Sequence, residues 1–384
     1  MVTLTPPKSI AFIDLQAQRE RIAEDIDEAV KEVIRHGAYV MGPEVLALEA
    51  ELERRFQAKS AVSCASGTDA LVMVLMALGI GPGDAVFVPS FTFVATPEAV
   101  RLVGATPVFV DVNEGCFTMA SDSLQRTLEM VKSDGELRPR AVVPVDLFGQ
   151  PADYPALTLI CLENNLELIG DAAQAMGARL DDVPVGDLST ITTTSFYPAK
   201  PLGAYGDGGA IFCRETGFAE ILRSIRIHGQ ERVSYEHARL GITGRLDTIQ
   251  AAVLLQKLKI FEDEMDMRQA VANGYNQRLS DMTTTPQVRQ GILSAWASYT
   301  IRVSEGQRDK VRSVLVESGV PCAVYYAKPN HFQQPYLDCP CDPAGLAVTE
   351  SICGQVISLP MHPYLSEVEQ DYIADVLKIA LVDR

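Results

Sequence analysis

Basic residues and long apolar runs are in short supply in this chain. There are 33 lysines and arginines against 50 aspartates and glutamates, which gives a formal net charge of −17. That sign disfavours nucleic acid and anionic membranes as main partners. No apolar run reaches the roughly 18 residues of a transmembrane helix, and residues 1–10 lack the basic start and apolar core of a signal peptide.

Cysteine frameworks and metal ligands are also lacking. The eight cysteines are scattered along 384 residues, whereas a disulfide framework belongs to short secreted chains. The five histidines include no pair at i and i+4, and Cys339-Pro340-Cys341 is followed by no histidine at metal-ligand spacing. We therefore expect reduced thiols, a cytoplasmic protein and no metal centre.

Apolar sequence is plentiful enough for a large core, with 47% hydrophobic residues. Short apolar strands alternate with helices from about residue 61 to 213, which predicts an α/β fold with a mostly parallel sheet covered by helices. A long helical stretch from residue 246 to 279 leads into a smaller α+β region. We expect a large domain over residues 1–255, including an N-terminal helical segment, and a small C-terminal domain over 256–384.

Two local patterns give further predictions. Residues 14–35 are predicted as one amphipathic helix, because apolar residues recur on one face. That apolar stripe consists of Ile22, Ile26, Val30 and Ile34. The apolar and aromatic run at 322–327 is predicted as a strand.

The segment Ser66-Gly67-Thr68-Asp69 lies where a predicted strand ends and a helix begins. Free N–H groups and the positive end of the helix dipole make such a junction an anion site. Gly67 lets a phosphate approach the backbone, and Thr68 or Asp69 can act as the N-cap. The alternative is an ordinary capped helix start.

Two other strand ends carry residues suited to a flat heterocycle. Asp171 follows the apolar stretch 166–170, at the edge where α/β sheets place their ligands, and could hold the N–H of a pyridinium ring. Phe93 follows the strand that ends near residue 89 and offers an aromatic face. The alternatives are a helix cap for Asp171 and core packing for Phe93.

Lys200 lies between Pro198 and Pro201, after a β-rich run at residues 191–196 and before a glycine-rich turn. A constrained backbone of this kind suits an amine that forms a Schiff base, and a surface loop lysine is the alternative. Anion site, aromatic ring, acid and amine, each at a separate strand end, match the phosphate, ring, ring nitrogen and aldehyde of pyridoxal phosphate.

Four motifs carry a resemblance to a known family. They are Ser-Gly-Thr-Asp-Ala-Leu at 66–71, Pro-Ser-Phe-Thr-Phe-Val-Ala-Thr at 89–96, Asp-Ala-Ala-Gln at 171–174 and Ser-Phe-Tyr-Pro-Ala-Lys-Pro-Leu-Gly-Ala-Tyr-Gly-Asp-Gly-Gly-Ala at 195–210. The chain resembles the DegT/DnrJ/StrS group of sugar-nucleotide aminotransferases. It is most similar to the WbpE-type branch, which aminates C3 of UDP-2-acetamido-2-deoxy-3-oxo-D-glucuronate for surface polysaccharide (O-antigen) sugars.

The resemblance implies a fold-type I pyridoxal 5'-phosphate enzyme. It further implies a homodimer with shared active sites, and ping-pong transfer of an amino group from L-glutamate, which leaves as 2-oxoglutarate, to a nucleotide-linked keto sugar. Lys200 would form the Schiff base and shuttle a proton, and Asp171 would pair with the pyridine nitrogen. Gln174 would reach the ring hydroxyl and Phe93 would stack on the ring.

The remaining implied roles concern the phosphate and the sugar. Ser195 and the backbone of Gly67 and Thr68 would hold the phosphate, assisted by Thr243 of the partner chain, where many members have asparagine. The implied substrate contacts are His228, Arg245, Tyr325 and Tyr326. The pair Tyr325-Tyr326 departs from the His-Tyr of the WbpE-type branch, and Lys200 argues against the branch that replaces this lysine with histidine.

Three alternatives stay open at this point. The substrate could be a 4-keto sugar linked to dTDP or UDP, and the chain could be a non-catalytic pyridoxal-phosphate protein with a regulatory role. The third is a dinucleotide-dependent oxidoreductase. Its Gly-x-Gly-x-x-Gly fingerprint is not matched by the glycines at 79–83, which precede a strand.

Overall fold

The structure is a computed structural model, and it describes residues 9–231 and 235–382. Its strands are β1 Ser60–Cys64, β2 Asp84–Pro89, β3 Thr106–Val110, β4 Arg138–Val142, β5 Glu167–Asp171, β6 Arg179–Leu180, β7 Val183–Pro184, β8 Ile191–Ser195, β9 Gly209–Cys213, β10 Ile292–Leu293, β11 Tyr299–Arg302 and β12 Val356–Leu359. Its helices are α1 Leu15–Arg21, α2 Ala23–His36, α3 Pro43–Arg55, α4 Gly67–Ala77, α5 Ala95–Leu102, α6 Ser121–Asp134, α7 Tyr154–Asn164, α8 Thr216–Ile225, α9 Thr248–Leu279, α10 Arg308–Glu317, α11 Ala347–Cys353 and α12 Glu367–Val382.

Seven strands form the central sheet, in the order β1-β9-β8-β5-β4-β2-β3. The five strands from β8 to β3 run parallel, and β9 is antiparallel to both of its neighbours. Because β9 is antiparallel to both β1 and β8, these two strands run in the same direction. The carboxyl ends of β1, β2, β5 and β8 therefore meet at one edge of the sheet, and the predicted mostly parallel sheet is confirmed.

Both faces of this sheet are covered, as the apolar strands predict. In β2, Val86 and Val88 point into an apolar cluster shared with α4 and α8. Ala85 and Phe87 point to the opposite face, into a cluster shared with α6 and α7. Successive side chains of a strand alternate between faces, so a strand buried on both sides must be apolar throughout.

The C-terminal part has its own apolar cluster around the antiparallel pair β11–β12, covered by α10 and α12. The long helix α9 contributes to two clusters. Leu258 and Met265 pack in the core near β8 and β9, whereas Val271 and Tyr275 pack with β11 and β12. The division at residues 255 and 256 stays a prediction.

The predicted helix over 14–35 is wrong in one respect, since it forms two helices. The backbone angles of Ile22 are not helical (φ −127°, ψ 31°), and its side chain packs against Val253 of α9. Ile26 shares that cluster, but Ile34 is 55% exposed, so the apolar stripe is shorter than predicted. Packing on α9 thus interrupts a pattern that is continuous in sequence.

The predicted strand over 322–327 is also wrong. Only Ala323 pairs, in a single antiparallel bridge with Ser358. The following aromatic residues turn towards other aromatic rings instead of extending a ladder. Helices α8 and α11 and the short strands β6, β7 and β10 were not predicted.

The remaining expectations concern the ends and the membrane. Most of the segment 1–10, on which the signal-peptide expectation rests, lies outside the described residues. Within residues 9–231 and 235–382, none of the helices combines the length and the apolar character needed to cross a bilayer.

Candidate active site

The carboxyl edge of the central sheet gathers most of the residues singled out from sequence. We call Gly67, Thr68, Phe93, Asp171, Gln174, Ser195, Lys200, Tyr325 and Tyr326 the sheet-edge group. Seven of them lie at or just after the ends of β1, β2, β5 and β8, and the two tyrosines come from the C-terminal part of the chain. Parallel strands place their ends together, which is why residues distant in sequence meet here.

The start of α4 lies against the end of β8. Ser66 is the N-cap, and its hydroxyl accepts a hydrogen bond from the Asp69 N–H at 3.0 Å. Thr68 and Asp69 are therefore helical residues, and the prediction that one of them caps the helix is wrong. The first-turn N–H groups of Gly67 and Thr68 have no acceptor among the described residues.

Gly67 is required where it stands. A Cβ at this position would lie 2.8 Å from the Ser195 Cβ, which has no room to move because it is attached directly to the backbone. The Ser195 hydroxyl itself accepts from the Tyr197 N–H at 3.2 Å. Backbone donors, a hydroxyl and a helix N-terminus thus form a cradle of the polarity that a phosphate needs.

Asp171 is buried at the end of β5 and is only partly satisfied. Its Oδ2 accepts from the Thr96 hydroxyl at 2.9 Å and its Oδ1 from the Ala173 N–H at 3.2 Å. Burial raises the pKa of this carboxyl, while the two hydrogen bonds and the nearby Lys200 oppose the rise. A carboxylate has about four acceptor positions, so room is left for one more donor.

Lys200 has no hydrogen-bond partner for its amine among the described residues. Burial lowers its pKa, and the Asp171 carboxylate opposes that shift. A lowered pKa increases the fraction of neutral amine, which is the nucleophilic form. The turn around it is tight, because a Cβ on Gly203 would lie 2.4 Å from the carbonyl oxygen of Pro198.

The aromatic rings of Phe93 and Tyr326 belong to the same edge of the sheet as Asp171. Phe93 is 55% exposed, so it is not a core residue, and its ring lies 6.3 Å from that of Tyr326. Gln174 is held between two groups: its Oε1 accepts from the Phe148 N–H at 2.9 Å, and its Nε2 donates to the Tyr326 hydroxyl at 3.2 Å. Burial raises the pKa of Tyr326, which keeps its phenol protonated.

Tyr325 lies further out, with 37% of its surface exposed. Its ring contacts Phe12 edge-on at 6.3 Å, and burial raises the pKa of its hydroxyl. The N-terminal segment is anchored nearby, since the Phe12 carbonyl accepts from the Met361 N–H. Tyr325 thus borders the site from the C-terminal side.

The remaining predicted substrate contacts, His228 and Arg245, and the predicted phosphate residue Thr243 form a second group, which we call the loop group. The Thr243 hydroxyl and the His228 Nε2 lie 2.7 Å apart, and both residues are exposed. Arg245 has neither a hydrogen bond nor an ion pair among the described residues, although Gly244 next to it pairs with Ala65 at the end of β1. An unpaired guanidinium is suited to a carboxylate or phosphate ligand.

Several residues that shape the site were not identified from sequence. Thr96 supports Asp171 from α5, and the Phe148 N–H supports Gln174. Asn330 and His331 bind the end of β2, where the His331 ring and the Ser90 hydroxyl lie 2.7 Å apart. Thr96 belongs to one of the motifs that carry the family resemblance, but nothing local in the sequence assigned it a partner.

The sheet-edge group fits pyridoxal phosphate in each of its parts. The cradle at Gly67 and Ser195 suits the phosphate, and the exposed face of Phe93 suits the ring. The open acceptor position of Asp171 suits a pyridinium N–H, and the unpaired amine of Lys200 suits an aldehyde. Gln174 keeps one amide N–H for the ring hydroxyl.

Comparison with known proteins decides the family. The sequence pattern of the DegT/DnrJ/EryC1/StrS aminotransferase family matches residues 20–378. The chain belongs to this family. Like the other aminotransferases of the DegT/DnrJ/EryC1/StrS family, it is an enzyme that depends on pyridoxal phosphate, and the predicted fold class, cofactor and reaction type are confirmed.

Three similar proteins illustrate the family relationship. UDP-2-acetamido-2-deoxy-3-oxo-D-glucuronate aminotransferase of Pseudomonas aeruginosa is 44% identical over 93% of this chain and 96% of its own length. A family aminotransferase from Brucella abortus is 47% identical, covering 97% of this chain and 100% of its own, with a TM-score of 0.95. NtdA of Bacillus subtilis with bound cofactor PMP is 27% identical over 98% of this chain and 86% of its own, with a TM-score of 0.88.

These comparisons support the predicted sugar-nucleotide aminotransferase function and leave no support for a dinucleotide-dependent oxidoreductase. They do not test individual residues. The roles of the sheet-edge and loop groups therefore stay predictions, which the geometry described above makes specific.

Proposed function

We propose that this enzyme transfers the amino group of L-glutamate to C3 of UDP-2-acetamido-2-deoxy-3-oxo-D-glucuronate. The observation that carries the proposal is the 44% identity, over nearly the full length of both chains, to the Pseudomonas aeruginosa enzyme of that name. The unpaired Arg245 is consistent with an anionic sugar nucleotide, which presents a diphosphate and a carboxylate.

The bound cofactor supplies an aldehyde and an electron-withdrawing ring that stabilises negative charge at the carbon losing its proton. Lys200 would hold the cofactor through its amine, and its Nζ would accept and return the proton at the substrate carbon. Asp171 would accept the ring N–H and so keep the ring nitrogen protonated. Phe93 would fix the ring plane, and Ser195 with the Gly67 and Thr68 N–H groups would anchor the phosphate.

The proposal includes a homodimer with shared active sites. Thr243 is exposed on this chain, and in a dimer it would assist the phosphate site of the partner, while His228 beside it would contact the substrate. It also includes a cytoplasmic location, in keeping with the eight unpaired cysteines, and a product used for surface polysaccharide such as lipopolysaccharide.

The test is a product analysis with a matched substrate panel. The purified protein is incubated with ¹⁵N-labelled glutamate and, in parallel, with UDP-linked 3-keto, UDP-linked 4-keto and dTDP-linked 4-keto sugars, and the products are identified by mass spectrometry and NMR. We expect ¹⁵N at C3 of the UDP-linked glucuronate derivative. Faster labelling at C4 of any other sugar would overturn the proposed substrate while leaving the aminotransferase assignment intact.

A regulatory protein without turnover is distinguished by the first half of the reaction alone. Glutamate added without any sugar is expected to bleach the visible band of the lysine-bound cofactor and release one 2-oxoglutarate per site. A wild-type protein that binds cofactor but shows neither change would contradict the proposed function.

A further inference from the structure

The loop that carries Lys200 rests on one face of α9. Leu202 of the loop and Leu254 of the helix share a buried apolar cluster. The backbone N–H of Tyr205 donates to Gln250 Oε1 at 2.8 Å. Helix positions four and seven residues apart lie on the same face, so the next residue on this face is Lys257.

Lys257 is an unusual residue for that position. It is 1% exposed, and its Nζ has no hydrogen-bond partner in the part of the chain that the structure describes. Its Nζ lies 4.3 Å from the centroid of the Tyr205 ring. A buried amine without a partner is costly, and an aromatic face at this distance is one of the few groups that stabilises a cation without a hydrogen bond.

Glu264, the carboxylate that opposes the effect of burial on Lys257, has hydrogen-bond partners of its own. Glu264 lies seven residues further along α9 and accepts from Gln18 Nε2, at 2.8 Å and 3.1 Å, and from the Tyr364 hydroxyl. Burial lowers the pKa of Lys257 to about 8, and Glu264 opposes the shift. The amine is therefore mostly charged at neutral pH, and the Tyr205 ring is its direct partner.

We propose that Lys257 is a positioning residue for the amino-transfer reaction. Its ammonium group holds the ring of Tyr205, five residues after Lys200, and so fixes the loop that aims the Lys200 amine. The inference rests on the proposed role of Lys200. A lysine that only fills space would act through its methylene chain, and methionine would replace it without consequence for the reaction.

The first test compares Lys257→Met with Lys259→Met, a control on the same helix whose side chain is 57% exposed. In Lys257→Met we expect kcat to fall about tenfold, with KM for glutamate little changed, because a desolvated cation–π contact is lost. The pH at which the visible absorption band of the lysine-bound cofactor changes should differ from that of the wild type. The melting temperature of Lys257→Met should be equal to or higher than that of the wild type, because a buried charge has been removed.

Lys257→Arg provides the rescue, since it keeps a cation able to lie on the ring. We expect it to keep kcat within about threefold of the wild-type value. An unchanged kcat and titration in Lys257→Met would overturn the proposal. So would a lower melting temperature accompanied by normal activity of the folded fraction, because that result indicates a purely structural role.

Substitutions of Tyr205 test the same contact from the other side. Tyr205→Phe keeps the ring face and should keep most activity, whereas Tyr205→Leu should reproduce Lys257→Met. The double variant Lys257→Met/Tyr205→Leu should be no worse than either single variant, because both remove one interaction. Additive losses would contradict the proposal. Failure of the proposed function is distinguishable, because it would already be seen as absent turnover in the wild type.

Discussion

The sheet-edge group and the loop group differ in how far this chain supports them. Asp171 has two donors, Gln174 is held at both ends, and Lys200 sits on a loop packed against α9. The loop group has one internal contact, between Thr243 and His228, and leaves Arg245 unpaired among the described residues. The sheet-edge group is preorganised within one chain, whereas the loop group leaves its polar atoms available to a substrate or a partner chain.

This difference separates chemistry from recognition. Groups that move a proton must be held in place before the substrate arrives, and buried neighbours provide that support. Groups that select a substrate or complete a partner's site are exposed until binding. Three predictions test whether the two groups divide the work in this way, and a fourth tests the burial of Lys257 beneath the sheet-edge group.

The largest effect is expected from Lys200→Ala. Loss of the amine removes both the covalent attachment and the proton carrier, so turnover should fall by about 10³- to 10⁴-fold. The visible band of the lysine-bound cofactor should disappear, as measured by absorbance of the purified protein, while cofactor added in excess still binds. Lys259→Ala is the matched control, and a Lys200→Ala enzyme with normal turnover would contradict the assignment.

Asp171→Asn comes next. The amide can still accept the hydroxyl of Thr96, but it cannot stabilise a positively charged ring N–H, so kcat should fall about 100-fold. Thr96→Val removes only the supporting donor and should cost considerably less. Steady-state kinetics on both variants checks the order, and equal losses would show that Asp171 acts through packing.

Complementation tests the loop group directly. Lys200→Ala and Arg245→Leu are each expected to be poor enzymes, the second through a higher KM for the sugar nucleotide. If Arg245 serves the partner's site, a mixed dimer combines the intact Lys200 of one chain with the intact Arg245 of the other in one of its two sites. About half of the dimers in a randomly reassorted mixture are mixed, so the mixture should recover about a quarter of wild-type activity. Recovery is expected only after subunit exchange by unfolding and refolding. No recovery would place Arg245 in the site of its own chain.

The smallest effect concerns stability against pH. The pKa of Lys257 is lowered to about 8 in the folded protein, from 10.5 for an unperturbed lysine, so the unfolded state binds more protons between those values. This residue should therefore make stability rise as pH increases from about 8 to 10, by about 1–3 kcal/mol relative to Lys257→Met. Urea unfolding of both proteins at several pH values measures the difference, and parallel curves would contradict the shift.

The site residues that could be predicted from sequence lie at the ends of strands. Gly67 comes shortly after β1, and Asp171 and Ser195 are the last residues of β5 and β8, so a local strand pattern identifies them without knowledge of their neighbours. The supporting residues had no such pattern. Thr96 reaches Asp171 across 75 positions, and His331 reaches Ser90 across 241. Contacts at those separations depend on how strands pair and helices pack, which local sequence does not specify.

The errors have the same origin. Residues 14–35 have a continuous helical pattern, yet Ile22 interrupts the helix where it packs on α9. Residues 322–327 have the composition of a strand, yet they serve as an aromatic border to the site. In both places a tertiary contact outweighed a local preference, which contributes only tenths of a kcal/mol per residue.

By itself, the sequence determined the alternation of strands and helices, the net negative charge and the identity of the residues at the strand ends. These follow from the spacing of apolar side chains and from turn chemistry. Tertiary structure decided the position of β9 between β8 and β1, the Ser195–Gly67 cradle and the burial of Lys257 against Tyr205. Each of these depends on which distant segments meet, and that is decided by packing of the whole core.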